Sequence, residues 1–421
     1  MTAVITKFLT IFAAILLATA SGILAAGNPG VIEVMYIARW SAYRNRFDKM
    51  IDADPAVDVL GVPMPGTFSI GKGYIDAEDL NRRMRIYMPR TLEQLVTERD
   101  LVVMQDAPRG HPEIAEVYFD PKWIFWFVEG VRERGLNLGM WGGDASWGGG
   151  GEGDYPSWGE TPLDDVLPLK SGGGYNLYGM HRRVFRDPDH PLARIPWGEA
   201  PLIEHVNMAQ LKQGAIPVAD ANSRRNSHPW IAYWDIGTGR VLGETEVFGS
   251  EGTTHVHDIM RRNWVWYQDF LIYMVYISTG RPIPDDVHQA HRIRNEINLY
   301  ASRASLMISL LEFVSAFGAS TGELFDQLEY MDSMERRAED HFREGDYGAA
   351  AEVFDELEEY WRDLDSRAVE AKERALSWVY IIEWTSVTSM GLLAGIIIWA
   401  LMVRRRLYRE VGITRIAHGS T

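Results

Sequence analysis

From Trp384 to Val403 the chain reads WTSVTSMGLLAGIIIWALMV, a run of 20 residues without a charge. In lipid such a segment has to be a helix, because nothing else satisfies its backbone internally. Its length matches the hydrocarbon core of a bilayer, about 30 Å at about 1.5 Å per residue. Trp384 and Trp399 suit the two interfaces, and Arg404, Arg405 and Arg406 follow at once. The residues 379–403 are therefore predicted to form a transmembrane helix. The positive-inside rule puts the tail 404–421 in the cytoplasm and the bulk of the chain outside it, at a cell membrane crossed once.

The N-terminus points the same way. Lys7 precedes an apolar run, Phe8 to Ala26, which ends in small residues at Ala25-Ala26-Gly27. A charged start, an apolar middle and a small-residue exit make residues 1–27 a signal peptide, or an N-terminal anchor if they stay attached. The net charge of −16 argues against nucleic acid as a partner, since phosphate binding needs clustered Lys and Arg. The sequence contains no cysteine, which excludes disulfides, thiolate metal sites and every cysteine nucleophile. No Walker loop and no Gly-x-Gly-x-x-Gly after a strand supports a nucleotide, and no cofactor is expected.

Between these ends, Val31–Ile37 (VIEVMYI), Val57–Val62 and Leu101–Met104 (LVVM) read as buried strands. Thr91–Glu98 reads as a helix. Pro121–Arg134 (PKWIFWFVEGVRER) is amphipathic, with Asp120 as N-cap and Pro121 at the first helical position. Leu136–Trp141 is the next strand and runs into Gly142-Gly143, ahead of a long Gly-, Trp- and Asp-rich loop to Gly174. Ile231–Trp234 and Arg240–Thr245 flank a turn at Gly237-Thr238-Gly239, and Ile259–Ser278 is an apolar helix. Alternating strands and helices imply a mostly parallel sheet covered on both faces over residues 28–284.

From Asp285 the pattern turns helical. Leu324, Leu328, Met331, Met334 and Ala338 form one apolar stripe, and Val353, Leu357, Trp361 and Leu364 form another. With a turn at Gly345-Asp346-Tyr347 they predict a helical hairpin stalk over residues 285–378. GDYGAAAEVFDELEEYW is similar to half of a tetratricopeptide unit, but a single unit cannot bury its own faces.

The order GGDASWGG, SWGETPLDDVLPL (Ser157–Leu169), DHPLARIPW (Asp189–Trp197) and WDIGTGRVLG (Trp234–Gly243) resembles the class I glutamine amidotransferase-like family over Val31–Pro284. That resemblance implies a flavodoxin-like three-layer α/β sandwich. It also exposes a departure. The family's nucleophile elbow is Gly-x-Cys-x-Gly, whereas this chain has Gly142-Gly143-Asp144-Ala145-Ser146. With Asp144 about where the cysteine belongs, glutaminase chemistry through a thioester is excluded.

Other residues define alternatives. Ser146, with His255 or His257 as base and Asp258 as orienter, would make a serine hydrolase. Equally, Asp144 and Asp258 read as helix caps. His255-x-His257 has the look of a metal pair, with Glu246 or Glu251 as a third ligand, but nothing fixes that ligand and no metal is assigned. Asp144, Trp147, Tyr155 and Trp158, with Tyr175 beyond them, are candidates for stacking on a glycan or peptide, or for covering the sheet edge. Glu152 and Asp154 match no calcium loop. Arg182-Arg183 and Arg224-Arg225 read as solvated pairs or partners of carboxylates. The sequence therefore predicts a membrane-anchored extracytoplasmic protein whose domain has no glutaminase chemistry and binds a protein or glycan. A surface serine hydrolase and a structural subunit of an envelope complex are the alternatives.

Overall fold

The computed structural model describes residues 30–39, 46–64, 77–107, 109–111, 114–143, 146–147, 157–224, 226–247 and 264–417. The predicted signal peptide lies outside these residues. The strands are β1 (Ile32–Arg39), β2 (Val57–Met64), β3 (Leu101–Gln105), β4 (Gly110–His111), β5 (Ile114–Tyr118) and β6 (Asn137–Trp141), then β7 (Leu169–Phe185), β8 (Ile203–Leu211), β9 (Ile216–Asn222), β10 (Ser227–Ile236) and β11 (Gly239–Glu244). The helices are α1 (Phe47–Asp52), α2 (Ala77–Tyr87), α3 (Leu92–Glu98), α4 (Pro121–Glu133), α5 (Tyr267–Thr279), α6 (Val287–Ala316), α7 (Gly322–Glu344) and α8 (Tyr347–Ala417).

Nine strands form one sheet in the order β2-β1-β3-β6-β11-β10-β9-β7-β8. The junctions from β2 to β11 are parallel. Those from β11 to β8 are antiparallel, as is the separate β4–β5 pair. Antiparallel pairings are therefore in the majority, five of nine among the described residues. The expected mostly parallel, flavodoxin-like sheet is overturned by this mixed topology. The difference lies in Leu169–Asn222, whose Gly-rich and polar strands carry little local alternation. They are strands because of distant partners, and strand preference is dominated by such context.

Side chains of β1 alternate between two cores, as a pleated strand requires. Val34, Tyr36 and Ala38 face α1 and α5, while Met35 and Ile37 face the layer of α3 and α4. Helix α4 starts as its sequence predicts, with the Asp120 carboxylate accepting from Lys122 N–H and Pro121 in the first turn. Helix α5 is mostly apolar and is buried on all sides, its Asp269 included.

One compact unit holds this sheet and its helices through Asn295, together with Glu339–Tyr347. Within it, Arg294 is fully buried between two carboxylates. Its Nε donates to Asp54 at 2.8 Å and its Nη1 pairs with Asp269, while Asp54 also accepts from Tyr276 O–H at 3.0 Å. Asp269 in turn meets His291 Nδ1 at 2.7 Å.

The second unit comprises Glu296–Ala338 and the chain from Gly348. Both predicted apolar stripes are buried there, and α6 adds a third through Ala304, Met307, Leu311 and Val314. The helical region thus holds the hairpin of α7 and α8 together with α6, which covers all but the last residue of the helically spaced segment Val287 to Phe317. Its last helix, α8, continues without a break for 71 residues, through the apolar run and into the arginines. It is one helix long and apolar enough to cross a membrane.

Candidate functional site

The parallel strands end together, and their last residues are polar and buried. Arg39 closes β1, Gln105 closes β3 with Asp106 directly after it, Gly142 and Gly143 follow β6, and Glu244 closes β11. The carboxyl ends of parallel strands are where α/β sheets place ligands. The segments 40–45, 65–76, 144–145, 148–156 and 248–263 lie outside the described residues. With them go Asp144, Tyr155, His255, His257, Asp258 and Glu251, as well as Glu152 and Asp154. The geometry below concerns the floor of the site.

Arg39 Nη1 meets Asp106 at 2.9 Å, with side chains 3% and 2% exposed. Asp106 sits at φ 46°, the left-handed region, which turns the chain sharply at the end of β3. Its backbone N–H donates to Ser146 Oγ at 2.9 Å, and the Ser146 hydroxyl donates to Trp141 O at 2.5 Å. Ser146 is fully buried. Its proton and one acceptor site are thus both engaged by backbone, the arrangement of a structural hydroxyl tying two strand ends together. Beneath it Tyr36 O–H donates to Gln105 Oε1.

The two glycines after β6 are held just as firmly. Gly142 N–H donates to Glu244 Oε2 at 2.9 Å. Gly143 N–H donates to Asn207 Oδ1 at 3.2 Å, and Gly143 O accepts from Asn207 Nδ2 at 3.0 Å. Only glycine fits either position. A Cβ on Gly142 would lie 2.0 Å from Glu246 O, and one on Gly143 2.2 Å from Asp106 Cβ. In an acyl-transfer enzyme, N–H groups beside such an elbow would be free to bind an oxyanion.

The antiparallel half of the sheet supplies this filling. The residues after β11 return onto β8, with Asn207 N–H donating to Thr245 O at 2.7 Å and Val247 N–H to His205 O at 3.0 Å. That pairing carries Asn207 to Gly143. It also brings Glu246 to Arg183 of β7, whose Nη2 spans both carboxylate oxygens at 3.0 and 3.1 Å. Arg183 is buried against the rings of Trp197 and Trp230, so it is a partner of a carboxylate and not a solvated surface charge. With both its oxygens on Arg183, Glu246 is committed to an ion pair. Glu244 accepts from Trp230 Nε1 at 2.8 Å and from Glu246 N–H at 2.5 Å. Burial, reinforced by the neighbouring Glu246 charge, pushes its carboxyl well above the usual range.

The tryptophans proposed for ligand stacking are core residues. Trp147 and Trp158 are 1% and 0% exposed. Their indole N–H groups donate to Glu244 O and Ala107 O, each at 2.7 Å. They cover the sheet and offer no face to a ligand. Tyr175 lies on β7. Among the described residues, no three His, Asp or Glu side chains gather as a metal would need.

Sequence reasoning singled out Ser146 but missed Arg39, Asp106, Asn207 and Glu244. Three of these had a signal, since a charged residue directly after an apolar strand run (VMYIAR, LVVMQD, RVLGE) marks a strand's carboxyl end. Asn207 had none.

No protein-family model and no curated protein sequence matches the chain. Two cytoplasmic proteins of Salmonella typhimurium, one from strain LT2, are similar in structure, at TM-scores of 0.44 and 0.45. Each is 16% identical and is matched over 59% of this chain and 99% of its own.

Proposed function

We propose that this chain is a single-pass membrane protein whose α/β unit is a non-catalytic binding domain, held outside the cytoplasm for a protein partner. The observation that carries this reading is the filled elbow. The N–H groups of Gly142 and Gly143 belong to Glu244 and Asn207, and the Ser146 hydroxyl belongs to Trp141 and Asp106. Nucleophilic catalysis there would need those groups unspent. A protein partner suits the domain better than a glycan. Sugars stack on exposed aromatic rings, but Trp147 and Trp158 are buried, whereas Met180, Val184, Leu202 and Met208 on and beside the β7–β8 ribbon are exposed. Arg404–Arg406 after the membrane helix support a cytoplasmic tail and an external domain.

The test uses the full chain in intact cells. Because the sequence has no cysteine, an Arg132→Cys variant reports the side of the membrane by labelling with an impermeant maleimide. Labelling without permeabilisation, with no adduct from a serine-directed fluorophosphonate on the purified protein, is expected. Labelling only after permeabilisation, or a phosphonate adduct that disappears in Ser146→Ala, overturns the reading.

A further inference from the structure

In the three-helix unit, one end of the α6–α7 hairpin is unlike the rest of this acidic chain. From Ala304 to Thr321 (ASLMISLLEFVSAFGAST) the single charged residue is Glu312. Helix α6 ends there with Phe313 and Phe317 in edge-to-face contact, ring centroids 5.0 Å apart. Both rings face solvent, at 45% and 43% exposure, and Leu306 and Ile308 are exposed further down the same helix. A cluster of this kind needs something to cover it.

Its position along α8 says what. Val314 and Ala319 pack with Ala371 and Ala375 in one cluster, which sets the tip level with that turn of α8. Farther from the tip the same alignment holds, with Gln327 hydrogen-bonded to Asp363 and Glu323 paired with Arg367. Three residues beyond Ala375 the helix becomes an interfacial segment, Trp378-Val379-Tyr380-Ile381-Ile382-Glu383-Trp384. Trp378, Tyr380 and Trp384 are all exposed there. The rise from Ala375 to Trp378 is about 4.5 Å, and to Trp384 about 13 Å. Phe317 follows Val314 by three residues, about 4.5 Å further along the same direction. The phenylalanine tip therefore comes level with Trp378, the first residue of that aromatic segment, and aromatic side chains favour the headgroup zone.

We infer that the Phe313–Phe317 tip of the α6–α7 hairpin is a second membrane contact, seated in the lipid headgroup region beside the entry point of α8. It rests on α8 spanning the bilayer and is independent of which side the domain faces. The stretch from Phe313 to Thr321 carries no charged residue, which favours lipid as its cover, since the other exposed faces of α7 and α8 carry many carboxylates. With the tip seated beside α8, which runs on without a break, the three-helix unit is held at a defined tilt to the surface.

The test uses the full chain in vesicles of phosphatidylcholine and phosphatidylglycerol, with one cysteine introduced at a time into the cysteine-free sequence. Phe317→Cys and Ser315→Cys report the tip, Ser315→Cys leaving both rings in place. Glu329→Cys, in the middle of α7, is the exposed reference, and Ile396→Cys reports the span. Each carries a polarity-sensitive fluorophore, read against lipids with a nitroxide at the headgroup or deep in the chain. The tip labels are expected to shift to the blue and lose intensity with headgroup nitroxide, while the label at 329 does neither. Tip labels that behave like the label at 329 overturn the inference. So does a blue shift without lipid quenching that disappears as the protein is diluted in lipid, which would mean a second copy covers the tip. Quenching of the label at 396 by the deep nitroxide tests the span itself, so failure of the anchor and failure of the tip are distinguishable.

Discussion

Asn207 closes a ring with Gly143, its Oδ1 accepting the glycine N–H at 3.2 Å and its Nδ2 donating to the glycine C=O at 3.0 Å. This contact joins the last strand of the antiparallel half to the turn that leaves the parallel half. It engages both backbone polar groups of Gly143.

Asn207→Ala leaves both polar groups of Gly143 buried without those partners. An unsatisfied buried group costs about 1–3 kcal/mol, so this variant should lose about 2–4 kcal/mol. Urea unfolding of the purified protein, compared with Asn207→Asp, checks it. The aspartate keeps the acceptor, so a variant that loses the Gly143 N–H contact should be the alanine alone.

Asp106→Asn should be strongly destabilising although it is nearly isosteric. Asparagine tolerates the left-handed φ of this position, so backbone strain does not enter. What is lost is the carboxylate facing buried Arg39 at 2.9 Å. Breaking one side of a buried pair costs about 3–5 kcal/mol. A loss below about 1 kcal/mol in the unfolding free energy from denaturant titration would show that Arg39 has adequate partners elsewhere.

Glu244 gives a pH dependence with a definite sign. Its folded carboxyl is held above its ordinary value, so over that interval the folded state keeps a proton that the unfolded chain has lost. The contribution to stability is therefore largest near and below the ordinary glutamate value, about 4.3, and falls as pH rises toward the folded value. The drop in unfolding free energy between pH 5 and pH 8 should be larger in the native protein than in Glu244→Gln. Equal drops would mean that the N–H groups of Gly142, Glu246 and Trp230 hold the carboxylate ionised.

Arg294→Ala should cost about 3–5 kcal/mol, because it strands Asp54 and Asp269 in the core of the α/β unit. Hydrogen exchange should localise the loss to α5 and the first turns of α6. Arg294→Met together with Asp54→Asn and Asp269→Asn should recover much of it, since the penalty comes from unpaired charge and not from lost volume.

The sequence made β1, β2, β3, β6, α3 and α4 legible, and it marked the run in α8 that is long and apolar enough to cross a membrane, down to the arginines after it. It also pointed to the β10–β11 turn and to the apolar stripes of α7 and α8. It did not show β7, β8 and β9, which hide in a Gly-rich and polar stretch over Leu169–Asn222, and it left Trp147 and Trp158 open between a ligand platform and a cover for the sheet. Of the site, Gly142, Gly143 and Ser146 stood out by their position after a strand. Their state did not, because Asn207 and Glu244 lie 64 and 102 residues from the glycines they hold.

The division has a physical cause. Local periodicity, caps and uninterrupted apolar length act over a few residues, so a helix such as α8 or a buried strand such as β3 is determined by its own segment. Whether a backbone N–H is free for chemistry depends on what the rest of the chain brings to it. Here β8 carries the Asn207 amide to Gly143, and Glu244 at the end of β11 meets Gly142. Only the tertiary structure decided that the N–H groups of Gly142 and Gly143 are engaged, because hydrogen-bond satisfaction in a buried site is a property of the whole packed chain.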